Sequence, residues 1–168
     1  MNSPVFLMGF MSSGKSRLGK KLAKKLDAPF VDLDKEIESK AGKSISQIFE
    51  ESGEDAFRQL EAQYLRDLTL NDTSIIALGG GTPIYNNNIE FIVENGISIY
   101  LKVEAKYLIG RLKEKSAKRP LISKLNETEL SDFVSKSLKV REPYYEKATH
   151  VLASNNPTVN EILNLIQL

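Results

Sequence analysis

Residues 9–16 read Gly-Phe-Met-Ser-Ser-Gly-Lys-Ser. They meet all four fixed positions of G-x-x-x-x-G-K-[ST], the phosphate-binding loop pattern. Each part has a chemical task. Gly9 and Gly14 let the backbone bend so that its N–H groups, those of Ser12 and Ser13 included, converge on an anion. A helix that opens here points its positive dipole end at the same anion. Lys15 reaches the β- and γ-phosphates, the Ser16 hydroxyl is placed for Mg²⁺, and Arg17 beside them is a further candidate nucleotide contact.

Other candidates lie downstream. Asp32 and Asp34 flank Leu33 where a short strand gives way to a helix. Residues two apart on an extended chain point the same way, so both carboxylates can enter one cleft. One would then help hold Mg²⁺ through its water and the other face a substrate hydroxyl; alternatively both are acids of a first helical turn. Arg58 flanks the apolar stripe of Phe57, with Asp55 and Glu61 three residues to either side. It is open to two readings, a surface ion pair or a cleft cation. Arg141 continues the stripe Leu130, Val134, Leu138 and so aims inward, where an arginine needs a partner. Two arginines converging on a cleft suit a carboxylate. Gly79, Gly80 and Gly81 follow the apolar run 74–78 and fit a backbone that must approach a ligand closely. Arg119, rigidified by Pro120, is either one loop cation among several or a group that closes over the phosphates. Arg111 either stacks on an adenine or lies on a solvated helix face.

The elements that must position these groups alternate. Apolar runs at 5–8, 30–31, 74–78, 97–103 and 149–153 read as strands. Helical patterns at about 15–26, a short one through Phe49 capped by Ser44 and Gln47, a longer one carrying Phe57, Leu60, Tyr64 and Leu68, and others at about 86–95, 104–114, 127–141 and 158–166 lie between them. Gly53 separates the second helix from the third, and Pro143 follows the helix that carries Arg141. This alternation predicts a three-layer, doubly wound, five-stranded parallel α/β sheet. Ligands in such sheets lie off the carboxyl ends of the strands. The phosphate loop, Asp32 and Asp34, the triple glycine and the turn Asn155-Asn156-Pro157 all follow strands, and are expected to rim one cleft.

Composition narrows the field. The chain has 168 residues, net charge +1, 41% hydrophobic residues and no cysteine. One domain over 1–168 is expected. Near-neutral charge gives no nucleic-acid footprint, and no apolar run approaches the roughly 20 residues of a membrane span. The short first apolar run breaks at Gly9 without a basic leader, unlike a signal peptide. Lack of cysteine fits a reducing, cytoplasmic setting. The single His150 builds no metal site and reads as structural or exposed. Residues 113–124 are charged and contain Arg119-Pro120, which predicts a mobile lid.

Taken together, the motifs resemble the shikimate kinase family over essentially the whole length. They are the loop at 9–16, Asp32-Leu33-Asp34, Phe57-Arg58, Gly79-Gly80-Gly81, Arg119-Pro120, and Arg141 before Pro143-Tyr144-Tyr145. The resemblance implies a nucleoside-monophosphate-kinase-like P-loop fold and ATP-dependent phosphorylation of the shikimate 3-hydroxyl, in aromatic amino-acid biosynthesis. It implies that Asp34, Arg58, Gly80, Gly81 and Arg141 contact shikimate, with Phe49 and Phe57 near its ring and a substrate-binding helical segment at about 33–61. Asp34 would accept the hydroxyl proton, and Arg58 with Arg141 would clamp the carboxylate. Lys15, Ser16 and Asp32 would form the phosphate and Mg²⁺ group, Arg119 the lid arginine, and Arg111 with Pro157 the adenine side. ATP and Mg²⁺ are the implied cofactors, shikimate the partner, and a monomer the expected form.

Two positions depart from the family. Relatives usually carry glycine at Ser12, where a side chain demands either ordinary backbone or strain, and a second Ser or Thr at Arg17. In a loose transition state the nucleophile loses its proton late, so a carboxylate of ordinary pKa is expected to serve. The rival readings are a P-loop kinase for another hydroxylated acid such as gluconate, a nucleotide switch, which lacks its Asn-Lys-x-Asp signature here, and a degenerate kinase, which retention of Lys15, Ser16, Asp32 and Asp34 opposes.

Overall fold

The computed structural model describes residues 3–68, 74–114, 122 and 125–166. Its sheet grows from the most apolar strand. β1 (Val5–Met8) is buried at every position. Its side chains alternate between faces, with Phe6 and Met8 in one apolar cluster and Val5 and Leu7 in another. β2 (Phe30–Asp32), β3 (Ile75–Ala77), β4 (Ile97–Lys102) and β5 (His150–Ala153) complete an all-parallel sheet in the order β2-β3-β1-β4-β5. The predicted five-stranded, doubly wound architecture is therefore the observed one, and both faces carry helices.

On one face α1 (Lys15–Leu26) and α7 (Val159–Ile166) supply Leu18, Leu22, Ile162, Leu163 and Ile166. Lys20, Lys21, Lys24 and Lys25 of α1 are exposed. On the other face lie α2 (Leu33–Ala41), α3 (Ile45–Asp67) and α4 (Asn88–Asn95), which bury Leu33, Ile37, Phe57, Leu65 and Ile92. A third cluster joins α5 (Ala105–Lys113) to α6 (Glu127–Tyr145) through Leu108, Leu112, Leu130, Val134 and Leu138, with Ile122 and Phe10 added.

The expected capping box stands at Ser44, where Gln47 N–H donates to Oγ at 3.2 Å and the Gln47 side chain accepts from Ser44 N–H at 2.8 Å. Gly53 breaks α3 at φ 81, ψ 172, as anticipated. One boundary differs. α6 runs through Pro143 to Tyr145 rather than stopping near Arg141. A proline in a last turn forfeits one N–H bond only, and fully buried Tyr145, with its ring 5.0 Å from that of Tyr100, holds the turn in place. His150 is half-buried at the start of β5. Of the predicted lid at 113–124, only residues 113, 114 and 122 fall among those described.

Candidate active site

The carboxyl ends of the strands converge as expected. A cavity of about 490 Å³ is lined by Ser12, Gly14, Lys15, Ser16, Arg17, Asp32, Asp34, Gly80, Arg111 and Asn156, among others. The phosphate loop forms one wall. Gly9 and Gly14 take φ 143 and 108, values that side chains resist. Lys15 is buried, and its ammonium donates to Gly9 O at 2.8 Å and Phe10 O at 3.0 Å. Ser16 and Arg17 are exposed at the mouth, whereas Ser13 is buried within the loop.

Ser12 resolves the choice posed by its side chain in favour of strain. Its φ is 64, the left-handed region. A residue with a Cβ holds that region at a cost of about 1–2 kcal/mol. The hydroxyls of Ser12 and Ser13 are both buried without a partner among the described residues.

Asp32 ends β2 and caps α2, so Asp34 is the second residue of a helix rather than the end of a strand. Strand alternation is thus not what aligns the two carboxylates. The strand-to-helix turn brings both to the cavity. Burial, and then the neighbouring Glu61 carboxylate, push the Asp34 pKa up to about 6, against the opposing pull of Lys15. An ordinary carboxylate pKa, as expected above, is therefore overturned.

The triple glycine explains itself by contact. A methyl group built on Gly79 would lie 2.6 Å from Asp34 Oδ1, one on Gly80 3.3 Å from Arg141 Nη1, and one on Gly81 2.6 Å from Arg58 Nη2. Three successive backbone units thus each lie against a charged side chain, and Gly79 against Glu61 as well as Asp34. The Gly80 carbonyl is also taken by the buried Tyr145 hydroxyl, whose own ionisation burial pushes up to about 12.

Arg58 is ion-paired, but not at the surface. It pairs with Glu61, three residues on, at 2.9 Å, but Glu61 is only 1% exposed and the pair faces inward. Glu54, not Asp55, is its second partner, at 3.1 Å. Burial alone would lower the Arg58 pKa, but Glu61 and Glu54 outweigh it and raise it. The guanidinium lies 4.4 Å from the Tyr85 ring and 5.1 Å from that of Phe57, which packs on Phe49 at 4.8 Å. Arg141, half-buried, lies 5.3 Å from the Phe10 ring. Arg58, Arg141, Phe49, Phe57 and Gly81 thus gather beyond Gly80, beside the main cavity rather than lining it. Pro157 is buried, and its neighbour Asn156 lines the cavity instead. Arg119 lies outside the described residues.

Sequence reasoning missed Glu61 as a site residue, together with Thr82, Tyr85 and Tyr145. Glu61 accepts from the Thr82 hydroxyl at 2.6 Å and so has both oxygens engaged. Its spacing from Arg58 was visible, but its burial was not.

Comparison with known proteins agrees along the chain. The family model described as "Shikimate kinase" matches residues 11–167. A shikimate kinase from Flavobacterium johnsoniae is 42% identical over 94% of this chain and 92% of its own. The crystal structure of shikimate kinase from Bacteroides thetaiotaomicron superposes with a TM-score of 0.93 at 33% identity, covering 99% of each chain. The shikimate kinase from Acinetobacter baumannii in complex with shikimate superposes with a TM-score of 0.88 at 33% identity, over 98% of this chain and 93% of that one. Family model, relatives and solved structures agree over nearly the whole length, and this chain belongs to the shikimate kinase family.

Proposed function

We propose that this chain transfers the γ-phosphoryl group of ATP to the 3-hydroxyl of shikimate, giving shikimate 3-phosphate and ADP, in aromatic amino-acid biosynthesis. The observation that carries this reading is the bare backbone at Gly79, Gly80 and Gly81, with Asp34, Arg141 and Arg58 placed over it in turn. One basic group and two fixed cations thus lie against backbone without side chains, a set of groups that suits a small hydroxylated carboxylate. Phe49 and Phe57 supply its apolar wall.

In this reading Arg58 and Arg141 bind the carboxylate, a bidentate pairing that fixes the ring as well as holding it. Asp34, with a pKa of about 6, is ionised at neutral pH and accepts the hydroxyl proton. The hydroxyl oxygen forms the new P–O bond as the bond to the departing ADP oxygen breaks. Lys15 leans on the β- and γ-phosphate oxygens and the backbone of residues 9–14 cradles them. Arg119 is assigned the remaining charge of the transferred group, and closure of residues 113–124 the exclusion of water. Arg111 and Pro157 are assigned to the adenine side.

Ser16 and Asp32, both oxygen donors at the cavity, would hold Mg²⁺. No group of three or more His, Cys, Asp or Glu stands ready for a metal among the described residues. That fits an ion which keeps several waters and binds through one carboxylate and substrate phosphates. When bound, the ion offsets negative charge on the phosphates.

A monomer and a cytoplasmic location belong to the same reading. Among the described residues no helix is long and apolar enough to cross a membrane. A kinase for another hydroxylated acid, such as gluconate, is the alternative. A coupled ADP-release assay across shikimate, gluconate and nucleoside monophosphates decides. Turnover with shikimate at least a hundredfold above the others is expected; faster turnover with gluconate or a nucleotide would sink the assignment.

A further inference from the structure

Arg111, in the last turn of α5, has a backbone carbonyl for each terminal nitrogen. Nη1 donates to Ser12 O at 3.1 Å, and Nη2 donates to Asn155 O. The first carbonyl belongs to the phosphate loop and the second to the turn after β5. That turn is itself braced. The Asn155 side-chain amide donates to Glu104 at 2.6 Å, and its oxygen accepts from Glu104 N–H at 3.0 Å. Glu104 is the N-cap of α5. One helix therefore grips the turn after β5 from both of its ends, and reaches the phosphate loop from there.

The residue it reaches is the strained one. Four residues other than glycine have positive φ among those described: Ser12, Asp27, Asn86 and Asn87. Asp and Asn tolerate this region more readily than other side chains. Ser12 has no such excuse, and its hydroxyl finds no partner among the described residues to steady it. Its carbonyl, however, accepts the guanidinium. Arginine suits the task because its planar fork is permanently charged and can serve two acceptors at fixed angles.

We infer that Arg111 is a positioning residue for the phosphate cradle. By holding the Ser12 carbonyl it keeps the loop in the left-handed turn that aims its N–H groups at the phosphates, a turn that a glycine would hold unaided. The inference rests on the reading of residues 9–16 as the nucleotide's phosphate site, and deepens it. It differs from an adenine contact in a measurable way. A residue that only touches the base has no effect on a phosphate chain that carries no base.

The test is calorimetric binding of tripolyphosphate and of ATP to the wild type, Arg111→Met, Arg111→Lys, Ser12→Gly and the two double variants. Melting curves establish that each is folded. Arg111→Met is expected to weaken tripolyphosphate binding about tenfold, on the scale of one lost charge-assisted hydrogen bond. Arg111→Lys keeps the charge but not the fork, and is expected to lose most of the same amount. In the Ser12→Gly background, either Arg111 substitution is expected to cost less than about threefold, since the pair is coupled through one turn. Should Arg111→Met fail to fold, the lysine variant carries the same cycle. Loss of ATP affinity with tripolyphosphate binding intact would overturn the inference. So would wild-type binding by Arg111→Lys, or a loss undiminished by Ser12→Gly. Wild-type protein that binds ATP but not tripolyphosphate would instead overturn the phosphate-cradle reading, and the inference with it.

Discussion

Glu61 holds Arg58 from below: its Oε2 accepts from Nη1 at 2.9 Å, while its Oε1 accepts from the Thr82 hydroxyl at 2.6 Å. At 1% exposure, this carboxylate has no water to fall back on. It therefore fixes the direction of the guanidinium and adds negative charge beside Asp34. Glu61→Gln keeps the shape and removes the charge. We expect KM for shikimate to rise by about tenfold, as Arg58 loses a charged partner, and the acidic limb of kcat/KM to move to lower pH. A pH–rate profile of the variant that overlays the wild type would show that Glu61 is not felt at Asp34.

The raised pKa of Asp34 makes two claims of opposite sign. In its proposed role as base it must be ionised, so kcat/KM is expected to fall with unit slope below about pH 6. As a buried carboxylate it costs stability when ionised. Between the ordinary carboxylate range and about pH 6 the folded state binds the extra proton, so this contribution is present at low pH and is lost as pH rises through about 6. Asp34→Asn is therefore expected to abolish most turnover, leave ATP binding intact, and raise stability at pH 8 by about 1–3 kcal/mol. The gain is expected to vanish near pH 4. Denaturant melts at the two pH values check the sign.

Arg58 and Arg141 approach the same glycine run from α3 and α6. Removing either as Arg58→Ala or Arg141→Ala is expected to weaken shikimate binding about tenfold to a hundredfold, the scale of a charge-assisted pair. ATP affinity should stay within a factor of about two. Calorimetry with each ligand measures both, and equal losses for shikimate and ATP would rule out a clamp dedicated to the acceptor.

Glycines of this chain differ sharply in what an added methyl group would meet. At Gly81 it would lie 2.6 Å from Arg58 Nη2, whereas at Gly110, inside α5, it would meet nothing within 4 Å. Gly81→Ala is expected to push the guanidinium aside and raise KM for shikimate. Gly110→Ala is expected to raise stability by about 0.5–1 kcal/mol through helix propensity alone. Kinetics for the first and a thermal melt for the second distinguish close approach from mere absence of a side chain.

Much of this was legible in the residue order. Strand and helix periods placed four candidate segments after strands, and a parallel sheet brings such positions to one rim. Arg141 could be named because it interrupts a local rule, an arginine on an apolar stripe, whereas Asp34 was named from its place after a strand and stands in the first turn of α2. Glu61 could not, because its i,i+3 spacing from Arg58 is the same for a solvated pair and a buried one. The backbone of Ser12 was also beyond reach: sequence poses the choice between ordinary φ and strain, but Arg111, 99 positions away, bears on the outcome. The end of α6 was misplaced because a proline reads as a stop, whereas Tyr145 packs well enough to carry the helix past it.

Lys15 spans its own loop, with its ammonium on the carbonyls of Gly9 and Phe10. The cradle is thus braced from within by its own lysine. A binding site that is already shaped does not have to be ordered by its ligand, so less of the interaction energy is consumed as lost conformational entropy. Nucleotide capture by this loop then resembles the docking of two rigid bodies.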